Sequence, residues 1–182
     1  METGQSPSPE VALGLRGAAR QIIDDARYLS LTTAGPDGDW HGDMRRTRPG
    51  AGAAVFDANT ILIPEFDATA HRQTLRNLLV HPQISLWLAT AAVRRGLHLA
   101  GKAQLSIQPE LLGGLIDDGR VPALAIVVHV ERITVCDAPA PAELPGAGGE
   151  AARFWRDALD LDRWGDSPPA GTGRETTDPG IG

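Results

Sequence analysis

Between residues 10 and 27, Val11, Leu15, Ala18, Ala19, Ile22 and Ala26 recur at steps of three and four, which predicts one helix with a single apolar stripe, packed as a lid. At Tyr28 the period changes to two. Leu29 and Leu31 alternate with Ser30 and Thr32, and Gly35-Pro36-Asp37-Gly38-Asp39 supplies turn chemistry before a second strand over Trp40 to Arg46, so this pair reads as a hairpin. The loop Arg48-Pro49-Gly50-Ala51-Gly52 leads to a second hairpin, Ala54 to Asp57 and Thr60 to Pro64. Asp67 or Thr69 then caps a helix with Leu75, Leu78 and Leu79 on one side and Arg72, Thr74 and Arg76 on the other. Pro82 ends it, because the residue before a proline is pushed out of helical geometry.

Further along, Ile84, Leu86 and Leu88 alternate with Ser85, Trp87 and Ala89, and Leu97, Leu99, Gly101, Ala103 and Leu105 with His98, Ala100, Lys102 and Gln104. Both read as half-buried strands. A short helix and turn over Pro109 to Gly119 precede a last strand, Leu124 to Cys136. Its apolar parity switches from Ile126, Val128 and Val130 to Ile133 and Val135, which predicts a β-bulge near Glu131–Arg132. Residues 137–150 read as an internal linker, and 151–161 as a short helix carrying Phe154, Trp155, Leu159 and Leu161. Residues 1–9 read as a disordered leader, 166–182 as a disordered tail, and 10–165 as the folded domain. About seven antiparallel strands with peripheral helices predict a mainly β protein, a small closed or split barrel.

Composition narrows the field. With 182 residues and 42% hydrophobic content the chain supports one core, and its 21 Gly and 14 Pro cluster without a period, which excludes a collagen-like fibre. A formal charge of −6 offers no long-range attraction to nucleic acid or to an anionic membrane, so neither is expected as a partner. The single cysteine, Cys136, makes no intramolecular disulfide, the start of the sequence lacks signal-peptide character, and the apolar run Ala123 to Val130 is short. The expectation is a cytoplasmic protein.

No zinc-ligand spacing, Gly-x-Ser-x-Gly, Walker loop or His-Glu-x-x-His occurs. Cys136 reads as a structural thiol and Gly146-Ala147-Gly148-Gly149 as linker. The informative cluster is Asp43-Met44-Arg45-Arg46-Thr47-Arg48 at a strand end, together with Arg72, Thr74, Arg76 and Asn77 on the following helix. Guanidinium groups, a hydroxyl, an amide and free helix N–H groups suit a phosphomonoester, whose oxygens take charge-assisted donors. The same residues also suit a solvated edge, because Lys102 is the only lysine and nearly every surface cation is therefore arginine.

Several segments carry a family resemblance. Ala26 to Gly38, Thr60-Ile-Leu-Ile-Pro64, Gln73 to Leu88, Leu97-His-Leu-Ala-Gly-Lys-Ala103 and Val127 to Cys136 resemble the pyridoxamine 5′-phosphate oxidase-like FMN-binding split-barrel family, in its small bacterial flavin-dependent branch. The block 73–88 is the most specific. The resemblance implies a split barrel that pairs as a homodimer, with FMN bound across the interface and a small-molecule substrate beside it. Arg46 matches the basic residue of the family's “SPRG” strand, Thr74 and Asn77 match polar helix positions, and Lys102 a basic position after a glycine.

The sequence also departs from the family. Met44, Arg45 and Thr47 stand where Ser, Pro and Gly are usual, Thr69-Ala70-His71 replaces “NNR”, His98 replaces an arginine, and Val135 a histidine. Arg45 or Arg72 compensates for a lost donor if its fork reaches the same oxygen. The candidate cofactor-binding set is therefore Arg45, Arg46, Thr47, His71, Arg72, Thr74, Asn77, His98 and Lys102, with no side chain marked as catalytic acid or base and no metal site. The function implied is an FMN-dependent oxidoreductase. Alternatives are a haem-dependent enzyme with His71 or His98 as iron ligand, a deazaflavin in place of FMN, and a cofactor-free binding or scaffold protein that has lost the flavin site.

Overall fold

A computed structural model describes residues 10–11, 14–90 and 95–137, all within the first of two compact units, 1–144. The expected leader, the expected helix at 151–161, the expected tail and the expected linker at 137–150, apart from Asp137 at the end of the last strand, lie outside the described residues. The chain runs β1 (Glu10–Val11), α1 (Ala18–Asp25), β2 (Ala26–Ala34), β3 (Trp40–Arg46), β4 (Ala54–Val55), β5 (Thr60–Glu65), α2 (Arg72–Val80), β6 (Gln83–Thr90), β7 (Arg95–Ser106), α3 (Pro109–Gly113) and β8 (Leu124–Asp137). The strands form one eight-stranded sheet in the order β3-β2-β6-β7-β8-β5-β4, with β1 added on β8, and every pairing is antiparallel. This is a split barrel.

Register explains the core. Leu29 pairs with Leu88 and Leu31 with Leu86, while Leu97 pairs with Val135 and Leu99 with Ile133, so alternate side chains of β2, β6, β7 and β8 enter one cluster with Ile61, Ile63 and Val128. Each such side chain stabilises the fold by roughly 1.5–3 kcal/mol through removal from water. On the opposite face of β5 and β8, Leu62 and Ala125 pack with Leu112 and Leu115 in a smaller cluster around α3.

Three local expectations change. The first helix spans only Ala18–Asp25, because Gly14 (φ +89°) and Gly17 (φ +54°) leave helical geometry, and Glu10–Val11 instead pairs with Val135 and Thr134. In α2, Leu75 and Leu78 are buried as expected, but Leu79 is 74% exposed, and Thr74 and Asn77 are fully buried in its place. Asp67 and Thr69 do not cap α2: its N-cap is His71, and Asp67 caps the preceding turn by accepting the Thr69 and Ala70 N–H groups at 3.1 and 3.1 Å. The bulge falls where the parity switch put it. Ala100 pairs with Arg132 and Gly101 with Val130, which leaves Glu131 as the extra residue. Glycine is required at 101, since a Cβ there would overlap the carbonyl oxygen of His129.

Candidate functional site

The split lies between β3, at one end of the sheet, and β5, which β4 covers only along Ile61 and Leu62. Here the inner face stops being apolar. Ile61 and Ile63 are followed on the same face by Glu65, and Leu29 and Leu31 face Arg45 and Asp43 on β3. No backbone ladder joins β3 to β5, and side chains do so instead. Arg45 donates from Nε and Nη2 to Asp43 Oδ2 (3.1 and 2.8 Å), and its Nη2 lies 3.0 Å from Glu65 Oε2.

The start of α2 closes the network. His71 Nδ1 lies 3.0 and 2.9 Å from the two oxygens of Glu65, its Nε2 is 3.7 Å from Asp43 Oδ1, and Thr74 donates to Asp43 Oδ2 at 3.3 Å. The Asp67 N–H donates to Glu65 Oε1 at 2.9 Å. Glu65 is 1% exposed, so burying its charge requires these partners. One layer deeper, Asn77 donates to Thr33 Oγ1 at 3.0 Å and accepts from Gln73 at 2.8 Å.

A cleft of about 750 Å³ opens beside this network, lined by Arg45, Arg46, Thr47, Arg48, Glu65 and His71, and also by Phe66, Asp117 and Arg120. Two of its arginines are engaged by carboxylates: Arg45 as above, and Arg48 by Asp117 and by Asp118 (2.8 Å). These acids hold the Arg48 guanidinium above its ordinary pKa by hydrogen bonding and charge. The other two stack on rings, Arg46 over Tyr28 at 5.9 Å and Arg120 over Phe66 at 5.2 Å.

The candidate residues thus divide. Arg45, Arg46, Thr47 and His71 meet at the cleft; Arg72 is exposed at the start of α2; Thr74 and Asn77 are buried beneath, bonded to Asp43 and Thr33. His98 and Lys102 stand elsewhere. His98 lies on the outer face of β7, where Ser85 Oγ is 2.8 Å from its Nε2, and burial, aided by the Arg132 charge, lowers its pKa to about 4. Lys102 is 3.5 Å from Glu131 and borders a separate hollow with His129 and Gln104. Sequence reading missed Glu65, Phe66, Asp117 and Arg120. For Glu65 a signal existed, an acid on the inward parity of Ile61 and Ile63. For the 117–120 turn there was none.

A phosphate dianion does not fit the inner wall, where Arg45 is already neutralised by two carboxylates, but it fits the rim, where Arg46 and Arg120 have no carboxylate partner among the described residues. As an iron ligand His98 is poorly placed, away from the cleft with Nε2 engaged, whereas His71 lines the cleft with Nδ1 held by Glu65, which leaves Nε2 as its ligating nitrogen. Among the described residues no three His, Cys, Asp or Glu side chains are arranged to hold a metal ion, and no helix is long and apolar enough to cross a membrane.

The fold and cleft define a split-barrel protein with a polar pocket at the barrel's seam. The chain belongs to the pyridoxamine 5′-phosphate oxidase family, whose model matches residues 15–136. None of the curated proteins matches it. Among solved structures, Group A Streptococcus HupZ is similar at 18% identity and a TM-score of 0.53, covering 66% of this chain and 92% of its own. A Lactobacillus delbrueckii protein assigned to the pyridoxamine 5′-phosphate oxidases matches at 11% identity and 0.53, covering 67% and 94%. A pyridoxamine 5′-phosphate oxidase-related, FMN binding protein of Nostoc punctiforme matches at 14% identity and 0.49, covering 68% and 83%. Likeness at these identities concerns the fold.

Proposed function

We propose that this protein is an FMN-dependent oxidoreductase acting on a small molecule, working as a homodimer in the cytoplasm. The observation that carries the reading is the cleft at the split, where the arginine-rich end of β3, the start of α2 and the 117–120 turn converge on one open space. Arg46 and Arg120 would hold the phosphate, and the Thr47 hydroxyl, which donates to the Arg48 carbonyl at 3.1 Å, would turn from it to reach a neighbouring oxygen. Bound FMN would supply the hydride or electron transfer, which suits a site without an evident acid–base pair of its own devoted to substrate. Glu65 and His71 hold one another rigid on the wall, so the chain's own contribution is binding, orientation and exclusion of water.

A second reading is favoured by a specific observation. Arg45 spends its charge on Asp43 and Glu65, as expected of a barrel that has closed its seam and lost its cofactor. The absorption spectrum of the isolated protein, followed by titration with FMN, separates the readings. A flavin spectrum or saturable fluorescence quenching supports the oxidoreductase. A Soret band would transfer the proposal to haem, a deazaflavin spectrum to that cofactor, and colourless protein blind to all three would leave the cofactor-free binder. Light scattering on the eluting protein tests the dimer: monomer mass at micromolar concentration overturns it.

A further inference from the structure

We infer that Arg120, on the turn between α3 and β8, is the anion anchor of the cleft, and that Arg48 positions it by clasping Asp117 and Asp118; the ligand class is a molecule ending in a phosphomonoester. The inference deepens the functional reading above and rests on it for the identity of the ligand.

Elimination gives the first part of the argument. Four arginines line the cleft. An anion at Arg45 would displace Glu65, whose burial leaves it no water to return to, and an anion at Arg48 would compete with two carboxylates at once. Arg46 and Arg120 have no carboxylate within ion-pair distance among the described residues, so their forks stay available. Arg120 stacks on Phe66, itself a cleft residue, which orients the guanidinium plane and removes part of the rotamer entropy an anchoring arginine would otherwise lose.

The second part is the turn itself. Asp117 and Arg120 exchange both backbone hydrogen bonds (3.1 and 2.9 Å) around Asp118 (φ +48°) and Gly119 (φ +73°), a tight two-residue reversal with both central residues left-handed. Among the described residues Asp118 is the single non-glycine with positive φ. Aspartate tolerates this conformation in a turn, and Arg48 bridges its two acids, binding Asp118 through Nη1 and Asp117 through Nη2. One arginine of the cleft thus fixes the turn that presents another.

The test compares FMN with riboflavin, which lacks the phosphate, by fluorescence titration of wild type, Arg120→Gln, Arg120→Lys and Arg48→Lys. The expected result is that wild type prefers FMN by at least about tenfold. Arg120→Gln should remove most of the preference for FMN, Arg46 keeping the remainder, and leave riboflavin unchanged, while Arg120→Lys should restore part of it. Arg48→Lys keeps the charge but cannot span both carboxylates, so it should weaken FMN alone, by a smaller factor, and an unchanged FMN-to-riboflavin ratio would overturn the positioning role. An unchanged FMN-to-riboflavin ratio in Arg120→Gln overturns the assignment while leaving the flavin reading intact. If neither flavin binds wild type, the flavin reading fails and inorganic phosphate becomes the probe. Broadening of its ³¹P resonance by wild type and not by Arg120→Gln then supports the anchor, and equal or absent broadening overturns it.

Discussion

Arg45 Nη2 reaches Glu65 Oε2 across 3.0 Å, joining two strands, β3 and β5, that share no backbone hydrogen bond. A charged bridge does at the seam of this barrel what the ladder does elsewhere. Both side chains are almost wholly withdrawn from solvent, at 11% and 1% exposure, so each depends on the other for its solvation.

Replacing Arg45 with Leu should therefore cost more than loss of one surface ion pair. It leaves Asp43 and Glu65 facing each other, and the expected destabilisation is ~3–5 kcal/mol. Urea unfolding measures it, and a change below ~1 kcal/mol would show the network to be solvated. Combining Arg45→Leu with Glu65→Leu should recover part of the loss, because the fully buried Glu65 charge is then gone and only Asp43, still bonded by Thr74, lacks its arginine.

His98 predicts a pH dependence. Burial, with the Arg132 charge, lowers its folded pKa to about 4 from 6.5, so the unfolded chain binds the proton first as pH falls. Its contribution to stability is complete above the unfolded value and is lost progressively between pH 6.5 and about 4. The shift corresponds to no more than about 3 kcal/mol. His98→Gln should flatten the difference between pH 7 and pH 4.5 relative to wild type, and parallel curves for the two proteins would refute the buried neutral imidazole.

Gly101 is opposite the bulge and has no room for a side chain. Gly101→Ala places a methyl against the His129 carbonyl, which is backbone and cannot swing away, so the variant should lose ~1–3 kcal/mol or shift the β7–β8 register. Thermal unfolding checks the first outcome and amide exchange along Ala100 to Ala103 the second. Wild-type behaviour in both would mean that the bulge adapts freely.

The two adjacent leucines of α2 should behave oppositely. Leu78 is 5% exposed and Leu79 74% exposed. Leu78→Ala should cost ~2–5 kcal/mol and Leu79→Ala less than ~0.5 kcal/mol, in the same denaturation assay. Equal effects would require α2 to be rotated about its axis.

Strand periods, turn chemistry and the parity switch before Ile133 carried the barrel in the sequence, down to a bulge near Glu131–Arg132, whose extra residue the register identifies as Glu131. These are local properties, because a side chain alternating about a strand declares its face to neighbours two residues away. Helix faces were less legible. A leucine such as Leu79 carries the same propensity buried or exposed, and Thr74 and Asn77 entered the interior because Asp43 and Thr33 were waiting there. The candidate site was half legible for the same reason: Arg45 to Thr47 and His71 converge, whereas His98 and Lys102 lie on strands that carry them elsewhere.

The sequence by itself determined a mainly β barrel, its strand order of hydrophobic faces, its one core and the arginine-rich end of β3. Only the tertiary structure decided which of those arginines remain available, since availability depends on carboxylates brought from β5 and the 117–120 turn, distant along the chain. Charge pairing is a property of distance in space, and composition records how many charges there are without recording which ones have already met.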